Sequence, residues 1–146
     1  MPSTEFTVHT TLAPNEVMTF FTDFGPDRVK RWPNIDEAHF QVHDQGAGWA
    51  EVTEGTAMGW ERERYAWDAD AGTIAIDTLD SNLWGRGSGW RYRLTPADGG
   101  TDVHVSLTRT PKGLRGRLLG VLIPAAGSFA LGRQFRSVLR KAEGTA

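Results

Sequence analysis

The sequence contains no cysteine among its 146 residues, and histidine is limited to four positions. The lack of thiols excludes disulfide bonds, zinc-thiolate sites and a cysteine nucleophile. No predicted helix carries two histidines at the spacing of metal ligands, since His39 and His43, four residues apart, lie on a predicted strand. Each falls opposite the apolar face of its strand: His9, His39, His43 and His104. We therefore expect no metal site, and nothing in the pattern indicates a cofactor.

The chain also lacks a basic stripe and a long apolar span. With a net charge of −2 and no basic stripe interleaved with aromatic residues, nucleic-acid binding is not expected. The longest uncharged stretch covers fifteen residues, 118–132, and Pro124 divides it. A membrane span needs about 17–25 residues. The first ten residues show neither the basic nor the apolar part of a signal peptide, so we expect a cytoplasmic location.

Charge is distributed unevenly along the chain. Residues 1–111 carry 9 Lys and Arg against 17 Asp and Glu, whereas residues 112–146 carry 7 Lys and Arg against a single acid, Glu143. A basic tail behind an acidic body is able to face anionic lipid at a membrane surface. The simpler alternative is that these basic residues pair with the acidic body or stay in water, and both alternatives remain open.

Residues 112–142 predict a long C-terminal helix. Its uncharged part is apolar on all sides, so it must be covered on all sides. The cover is either the rest of the domain, or in part a membrane surface or a second copy. Pro124 predicts a kink within this helix. Leu118, Leu122 and Phe129 share one helical face, which we expect to close a space against a sheet.

The chain before this helix alternates between apolar and polar residues, as strands do. Residues 5–12 form the first such segment, Pro14 then begins a short helix, and residues 27–31 form a second one. Six more segments are separated by turn residues: 37–44, 49–54, 57–67, 73–79, 89–95 and 101–109. This order predicts an α+β fold with a curved antiparallel sheet of about seven strands, covered on its apolar face by the C-terminal helix.

Several short motifs occur in this chain in a distinctive order and spacing. They are Leu12-Ala13-Pro14-Asn15-Glu16-Val17 with Phe20-Phe21-Thr22-Asp23, Gly46-x-Gly48, Trp67-Asp68, and Trp90-x-Tyr92-x-Leu94-x-Pro96 with Gly99-Gly100-Thr101-x-Val103. Together they resemble START/SRPBCC domains, especially the polyketide cyclase/dehydrase group, over the whole chain. The resemblance implies one domain with a helix-grip fold and a cavity for hydrophobic ligands. It implies no single activity, because such domains include cyclases, lipid carriers, hormone receptors and chaperone cofactors.

Aromatic residues are abundant, with six Trp and seven Phe. Small-molecule pockets are mostly apolar and aromatic, so we expect part of this set to line a cavity between the sheet and the C-terminal helix. We predict that this cavity binds a hydrophobic small molecule or a lipid. The expected lining residues are Phe20, Phe21, Phe24, Trp32, Trp60, Arg62, Trp90, Tyr92, Val103, Val105, Leu118, Leu122 and Phe129.

The segment from Trp60 to Trp67 is ambiguous, because both of its faces carry charges and aromatic rings. One face carries Trp60, Arg62, Arg64 and Ala66, and the other carries Glu61, Glu63, Tyr65 and Trp67. An inward Arg62 would need a partner such as Glu51 or Asp77, since an unpaired buried charge is costly. It would then anchor a ligand oxygen. The alternative is a solvated charge ladder across neighbouring strands.

An enzyme is the alternative function for the same cavity, of the polyketide cyclase/aromatase or dehydratase type. Arg62, Asp77 and Tyr92 are the candidate catalytic residues, because they are able to polarise a carbonyl group or move a proton. No acid–base pair has a spacing that points to catalysis, so a binding protein is the preferred hypothesis. Whether the chain is catalytic remains open at this stage.

Overall fold

The strands and helices of the computed structural model follow the predicted order over the residues that it describes, 3–113 and 132–144. The strands of this part are β1 (Ser3–Thr10), β2 (Gln41–Gly46), β3 (Trp49–Gly55), β4 (Trp60–Asp68), β5 (Thr73–Ser81), β6 (Gly89–Ala97) and β7 (Gly100–Thr108). Between β1 and β2 lie helix α1 (Pro14–Thr22), helix α2 (Arg28–Arg31) and a 3-10 helix (Glu37–His39). Residues 132–144 are helical and are called α3.

The seven strands form one antiparallel sheet in the order β1-β7-β6-β5-β4-β3-β2. Short turns join β2 through β7, so that each strand pairs with the next one in sequence. The first strand pairs with the last along its whole length, from Ser3 opposite Thr108 to Thr10 opposite Thr101. Helices α1 and α2 therefore carry the chain from one edge of the sheet to the other. The predicted α+β fold with a seven-stranded antiparallel sheet and two short helices after β1 is confirmed.

Helix α1 has clear local signals for its start. Pro14 occupies the first helical position, where its fixed φ angle suits the turn. The Glu16 side chain accepts a hydrogen bond of 2.9 Å from the backbone N–H of Ala13, just before the helix. Val17 and Phe21 lie one helical turn apart and are both buried. Helix α1 thus packs its apolar face on β6 and β7.

Two irregularities in register bend the sheet. One lies in β2 between Val42 and Asp44. The other lies between β4 and β5, where Arg62 pairs with Asp80 and Glu63 pairs with Thr78. Residue 79 is therefore an extra residue of β5, and such bulges bend a strand and increase its twist. The bend gives the sheet a concave face.

The concave face is apolar and receives α3. Along β7 the buried positions alternate strictly: Thr101, Val103, Val105 and Leu107. From α3 the buried apolar residues Phe135, Val138 and Leu139 join the same core cluster. The Phe135 ring has its centre 5.5 Å from that of Phe6 and 6.0 Å from that of Tyr92. One residue of α3 therefore joins the edge strand β1 to the middle of the sheet.

Two predicted strand boundaries are wrong for local reasons. The segment 37–44 begins as a 3-10 helix, because the Asp36 carboxylate accepts a 2.9 Å hydrogen bond from the backbone N–H of His39. The segment 57–67 starts later, at Trp60, because the backbone N–H of Thr56 bonds to the Gly59 carbonyl at 2.9 Å and forms a tight turn. Neither shift changes the pairing order of the strands.

Of the predicted 112–142 helix, residues 112–113 and 132–142 fall within the described part. The predicted start at Lys112 is wrong, because Lys112 is not helical and its backbone N–H bonds to the Leu83 carbonyl at 2.8 Å. Residues 132–142 are helical as expected. Residues 114–131, with Leu118, Leu122, Pro124 and Phe129, lie outside the described part, so the kink and the proposed helix face stay predictions. Within the described ranges, no helix is long and apolar enough to cross a membrane.

Candidate functional site

A cavity of about 680 Å³ lies between the concave face of the sheet, α2 and α3. This volume falls within the range of roughly 300–1,000 Å³ that is usual for small-molecule sites. Aromatic rings form much of its wall: Phe21, Trp32, Trp84, Trp90, Tyr92 and Phe135. The cavity is therefore shaped and lined for an apolar ligand.

The same wall contains five acidic or basic side chains. They are Arg28, Glu54, Glu61, Glu63 and Arg109. Charged groups are rarely buried without partners, because desolvation is costly. The partners of each group therefore decide which of them is available to a ligand.

The first pair joins α2 to β3 and uses every donor of one arginine. The guanidinium of Arg28 donates from Nε to Glu54 Oε2 at 2.7 Å, and from Nη2 to Glu54 Oε1 at 3.3 Å and to the Tyr65 hydroxyl at 3.0 Å. Its Nη1 donates to the carbonyl oxygens of Phe21 at 3.0 Å and Asp23 at 3.1 Å. An arginine has five N–H donors, so Arg28 has none left for a ligand.

The surroundings of Arg28 keep it charged. Burial alone would lower its pKa, but the neighbouring Tyr65 oxygen and the Glu54 carboxylate raise the pKa above its ordinary value. The Phe24 ring lies with its centre 4.4 Å from the guanidinium carbon and adds a cation–π contact. Tyr65 in turn donates to Glu54 Oε1 at 2.5 Å. The three side chains Arg28, Glu54 and Tyr65 thus form a closed structural network.

The second pair lies at the other side of the cavity, directly after β7. Arg109 donates from Nη1 to Glu61 Oε1 at 2.6 Å and from Nη2 to Glu61 Oε2 at 3.0 Å. The Thr78 hydroxyl donates to Glu61 Oε1 at 2.9 Å. The Arg109 guanidinium lies 5.0 Å from the Trp84 ring centre and 5.4 Å from that of Trp90. This bidentate geometry is the strong form of an Arg–carboxylate pair.

Glu63 lies on the same face of β4 as Glu61, and it differs from the other four groups. Its side chain is buried, with 5% exposure, and it makes no hydrogen bond within the described part of the chain. Burial raises its pKa well above the ordinary value, and the charges of Glu61 and Glu54 raise it further. Arg109 and Arg28 offset only part of this effect. Burial therefore favours the protonated form of the Glu63 carboxyl group.

Two further polar groups of the wall have unused donors. Burial, followed by the charge on Glu63, raises the pKa of Tyr92 well above its ordinary value, so its hydroxyl keeps its proton. The indole Nε1 of Trp32 is buried and has no hydrogen-bond partner among the described residues. An indole N–H only donates. Tyr92 and Trp32 thus both offer a hydrogen-bond donor to the cavity.

The ambiguity of β4 is resolved in favour of its acidic face. Glu61, Glu63 and Tyr65 line the cavity, and Arg62 does not. Arg62 lies on the outer face, 43% exposed, where it bonds to Glu51 at 2.8 Å. The prediction of an inward Arg62 was wrong, because strict alternation along β4 admits only one of the two faces. The predicted partner Glu51 is correct, but the pair lies outside.

Asp77 and Trp60 also lie away from the cavity. Asp77 is 59% exposed and accepts a 2.6 Å bond from Arg91 on the outer face. Alternation explains this position, since Ile74 and Ile76 of β5 point to the core. Trp60 shares the outer face of β4 with Arg62 and is absent from the cavity wall. Asp77 is therefore wrong as a catalytic candidate within this cavity, and Trp60 is wrong as a lining residue.

The remaining predicted residues divide into three groups. Four of them do line the cavity: Phe21, Trp32, Trp90 and Tyr92. Four others are buried in the core without reaching it: Phe20, Phe24, Val103 and Val105. Leu118, Leu122 and Phe129 belong to the range outside the described residues. Ligand contact by any of these side chains remains a prediction.

Sequence reasoning missed the main polar residues and one aromatic centre of the site. Phe135, Val138 and Leu139 have helical spacing, so this signal was present. Arg109 continues the inward alternation of β7 after Leu107, and this signal was present as well. The inward position of Glu63 had no such signal, because both faces of β4 carry charges.

The histidines lie on the outer surface of the sheet or in its loops. His9 contacts the Asp102 carboxylate at 2.9 Å, and His104 contacts the Thr7 hydroxyl at 2.9 Å. In residues 3–113 and 132–144, no three or more His, Asp or Glu side chains are grouped so as to hold a metal ion.

Comparison with known proteins gives similarity in structure and not in sequence. The sequence matches no protein-family model and no curated protein. The structure of TTHA0849 from Thermus thermophilus superposes with a TM-score of 0.79 at 14% identity, covering 99% of each chain. The Zhui aromatase/cyclase from Streptomyces sp. R1128 superposes with a TM-score of 0.76 at 16% identity, covering 97% of this chain and 93% of its own.

A third similar structure is a START superfamily protein from Mycobacterium smegmatis, with a TM-score of 0.74 at 13% identity. The alignment covers 96% of this chain and 98% of that protein. Identities this low establish the fold and leave the ligand open. The resemblance predicted from the motifs is thus confirmed at the level of structure: the chain has the helix-grip fold shared by START-like proteins and polyketide aromatase/cyclases.

Proposed function

We propose that this chain is a single ligand-binding domain that holds an apolar small molecule in the cavity between the sheet and α3. The cavity carries the proposal, because its volume of about 680 Å³ suits a small molecule and its wall includes several aromatic side chains. Burying apolar ligand surface there contributes about 25 cal/mol per Å². The shared fold with a START superfamily protein supports the same function.

A pair of matched substitutions tests whether the cavity is the binding site. Leu83 lines the cavity and is buried, whereas Leu79 is exposed on the bulge of β5. Leu83→Trp fills part of the cavity and is expected to weaken binding of the uncharged apolar fluorophore N-phenyl-1-naphthylamine at least about tenfold. Leu79→Trp adds the same side chain outside and is expected to bind like the wild type.

Thermal unfolding followed by circular dichroism checks that both variants stay folded. Native mass spectrometry of protein purified without detergent is expected to show a co-purified apolar molecule. Equal fluorophore affinities of the two folded variants would contradict binding in this cavity.

A second candidate function is catalysis of the polyketide cyclase or dehydratase type. Tyr92, the one catalytic candidate from the sequence that lies in the cavity wall, favours it, and so does the structural likeness to an aromatase/cyclase. A protonated phenol is able to polarise a substrate carbonyl group. Incubation with a poly-β-keto thioester, followed by mass spectrometry, would then show loss of water faster than in buffer, and Tyr92→Phe would slow it. A rate equal to that in buffer would contradict catalysis.

Several expectations stay predictions. A cytoplasmic location and the absence of nucleic-acid binding follow from the sequence alone. Contact with a membrane surface or a second copy concerns the apolar stretch 118–132, nearly all of which lies outside the described residues.

A further inference from the structure

Of the three glutamates in the described cavity wall, two form ion pairs with arginines and one does not. Glu54 is paired with Arg28, and Glu61 is paired with Arg109. Glu63 has no hydrogen-bond partner in the described chain, although it is only 5% exposed and lies in the cavity wall. A buried polar group without a partner is costly to stability and needs an explanation. A ligand atom that bonds to Glu63 supplies one.

We propose that the Glu63 carboxyl donates a hydrogen bond to a carbonyl oxygen of an uncharged apolar ligand, such as a ketone, a quinone or a lactone. The inference rests on the proposed function, since it names the class of molecule that the same cavity takes. It also goes beyond it, because an apolar cavity alone does not distinguish a carbonyl compound from a hydrocarbon, a fatty acid or an amine.

An acidic ligand has no free cation to bind in the described wall. All five N–H donors of Arg28 are occupied by protein atoms. Arg109 is held in a bidentate pair and lies close to two indole rings. A ligand carboxylate would face Glu54, Glu61 and Glu63 without a partner, so fatty acids are disfavoured.

A cationic ligand is disfavoured for a different reason. Within each Arg–Glu pair the positive and negative charges cancel. A ligand ammonium group would therefore need a negative charge on Glu63, which requires Glu63 to ionise. Burial and the neighbouring carboxylates oppose that ionisation by raising the pKa of Glu63. The ionisable groups that act on Glu63 come from β3, β4, β6, α2 and the residue after β7: Glu54, Glu61, Tyr65, Tyr92, Arg28 and Arg109. From β5 and α3, the facing residues Thr78, Gln134 and Phe135 carry no charge.

Two other hydrogen-bond donors of the wall support a ligand that carries a hydrogen-bond acceptor. The Tyr92 hydroxyl keeps its proton, and the Trp32 indole is a donor without a partner. A carbonyl oxygen has two lone pairs and is able to accept more than one such bond. Sites built to hydrogen-bond one group discriminate strongly against analogues that lack it.

A matched set of phenanthrene probes tests the inference by equilibrium dialysis near neutral pH. The probes carry one substituent at the same ring position: acetyl, ethyl, carboxylate or aminomethyl. The wild type is expected to bind the acetyl probe about tenfold more tightly than the ethyl probe, and more tightly than either charged probe. Glu63→Leu is expected to remove the preference for acetyl over ethyl. Glu63→Gln is expected to retain it, because an amide also donates.

The pH profile separates this role from a merely structural one. The preference of the wild type for acetyl is expected to fall as the pH rises through the raised pKa of Glu63, because the carboxylate no longer donates. The preference of Glu63→Gln is expected to stay constant with pH. Glu51→Gln, on the outer face of β3, is the matched control and is expected to follow the wild type.

The outcomes distinguish the inference from the function on which it rests. Equal affinities for the acetyl and ethyl probes would overturn the role of Glu63 and leave binding of apolar molecules standing. Tightest binding of the aminomethyl probe would overturn it too, since Glu63 would then act as a carboxylate. Absence of binding for all probes would overturn the proposed function itself.

Discussion

Two Arg–Glu pairs start from the same strand, β3, and point to opposite faces of the sheet. Glu51 bonds to Arg62 outside at 2.8 Å, and Glu54 bonds to Arg28 inside at 2.7 Å. The distances are almost equal, but the side chains are 24% and 43% exposed in the outer pair and 5% and 2% exposed in the inner pair. The distance between the charged atoms therefore says little about how much stability is lost when an ion pair is broken. The loss depends mainly on whether the pair is exposed to water or buried.

Breaking the inner pair from its acidic side is expected to have the largest effect. Glu54→Ala leaves the Arg28 guanidinium buried without its carboxylate, which costs about 3–5 kcal/mol in the free energy of unfolding. Urea denaturation measures the loss. The double variant Arg28→Met with Glu54→Leu removes both charges and is expected to recover much of it. A loss below about 1 kcal/mol for the single variant would contradict the closed network.

Removing one hydroxyl sharpens the comparison without removing a charge. Tyr65→Phe deletes the group that donates to Glu54 and accepts from Arg28. We expect a loss of about 1–3 kcal/mol, because both partners stay buried and each loses one hydrogen bond. Denaturation under the same conditions as for Glu54→Ala gives the value. Tyr92→Phe is the matched control, because the Tyr92 hydroxyl has no hydrogen bond to lose in the described chain, and it is expected to change the stability little.

The third prediction concerns the pH dependence of stability. The raised pKa of Glu63 means that the folded state keeps a proton that the unfolded state releases. The contribution of Glu63 to stability is therefore fully present below the unfolded pKa and is lost as the pH rises through the folded pKa. Each pH unit between the two values corresponds to about 1.4 kcal/mol.

Glu63→Gln removes the loss of stability that accompanies ionisation of Glu63 at higher pH, because an amide does not ionise. Its stability relative to the wild type is expected to rise from about pH 4 upward, as measured by urea denaturation at a series of pH values. Glu51→Gln serves as a control on the outer face, where the Arg62 hydrogen bond lowers the pKa of Glu51. A constant difference between Glu63→Gln and the wild type at all pH values would show that Glu63 has an ordinary pKa.

The smallest effect is expected at the outer pair. Arg62→Ala removes a half-exposed partner of Glu51, and such surface pairs contribute about 0–1 kcal/mol. It is also expected to leave the affinity of the cavity for apolar probes unchanged, because Arg62 lies on the opposite face. Denaturation and dialysis check both statements. A tenfold loss of affinity in a folded Arg62→Ala protein would reinstate the ligand-anchoring role that the sequence first indicated.

The fold was predictable from the sequence because its signals are local. Alternation with period two and Gly-bearing turns define five of the strands closely, and Pro14 marks the start of α1. Four aromatic residues of the cavity wall followed from the same patterns. The shifted starts of β2 and β4 depended on single side-chain or turn hydrogen bonds, which the hydrophobic pattern does not contain.

The polar part of the site was not predictable in the same way. Arg28 lies on a helix of only four residues, and its partner Glu54 is 26 positions further along the chain. On β4, charges on both faces left the inward side undecided until tertiary packing placed Tyr65 in the core. The pKa of Glu63 depends on neighbours from several strands and a helix, so it cannot be inferred from any short segment of the sequence.

The bonds from Arg28 to the carbonyl oxygens of Phe21 and Asp23 have a consequence for local opening. They fasten the end of α1 and the start of α2 to the β3–β4 hairpin, although these segments are distant in the chain. The crossover between the two sheet edges is thus unable to lift away without exposing a bare guanidinium. In native-state hydrogen exchange, backbone amides of α1, α2 and the β3–β4 hairpin would therefore open as one cooperative unit and not as separate elements.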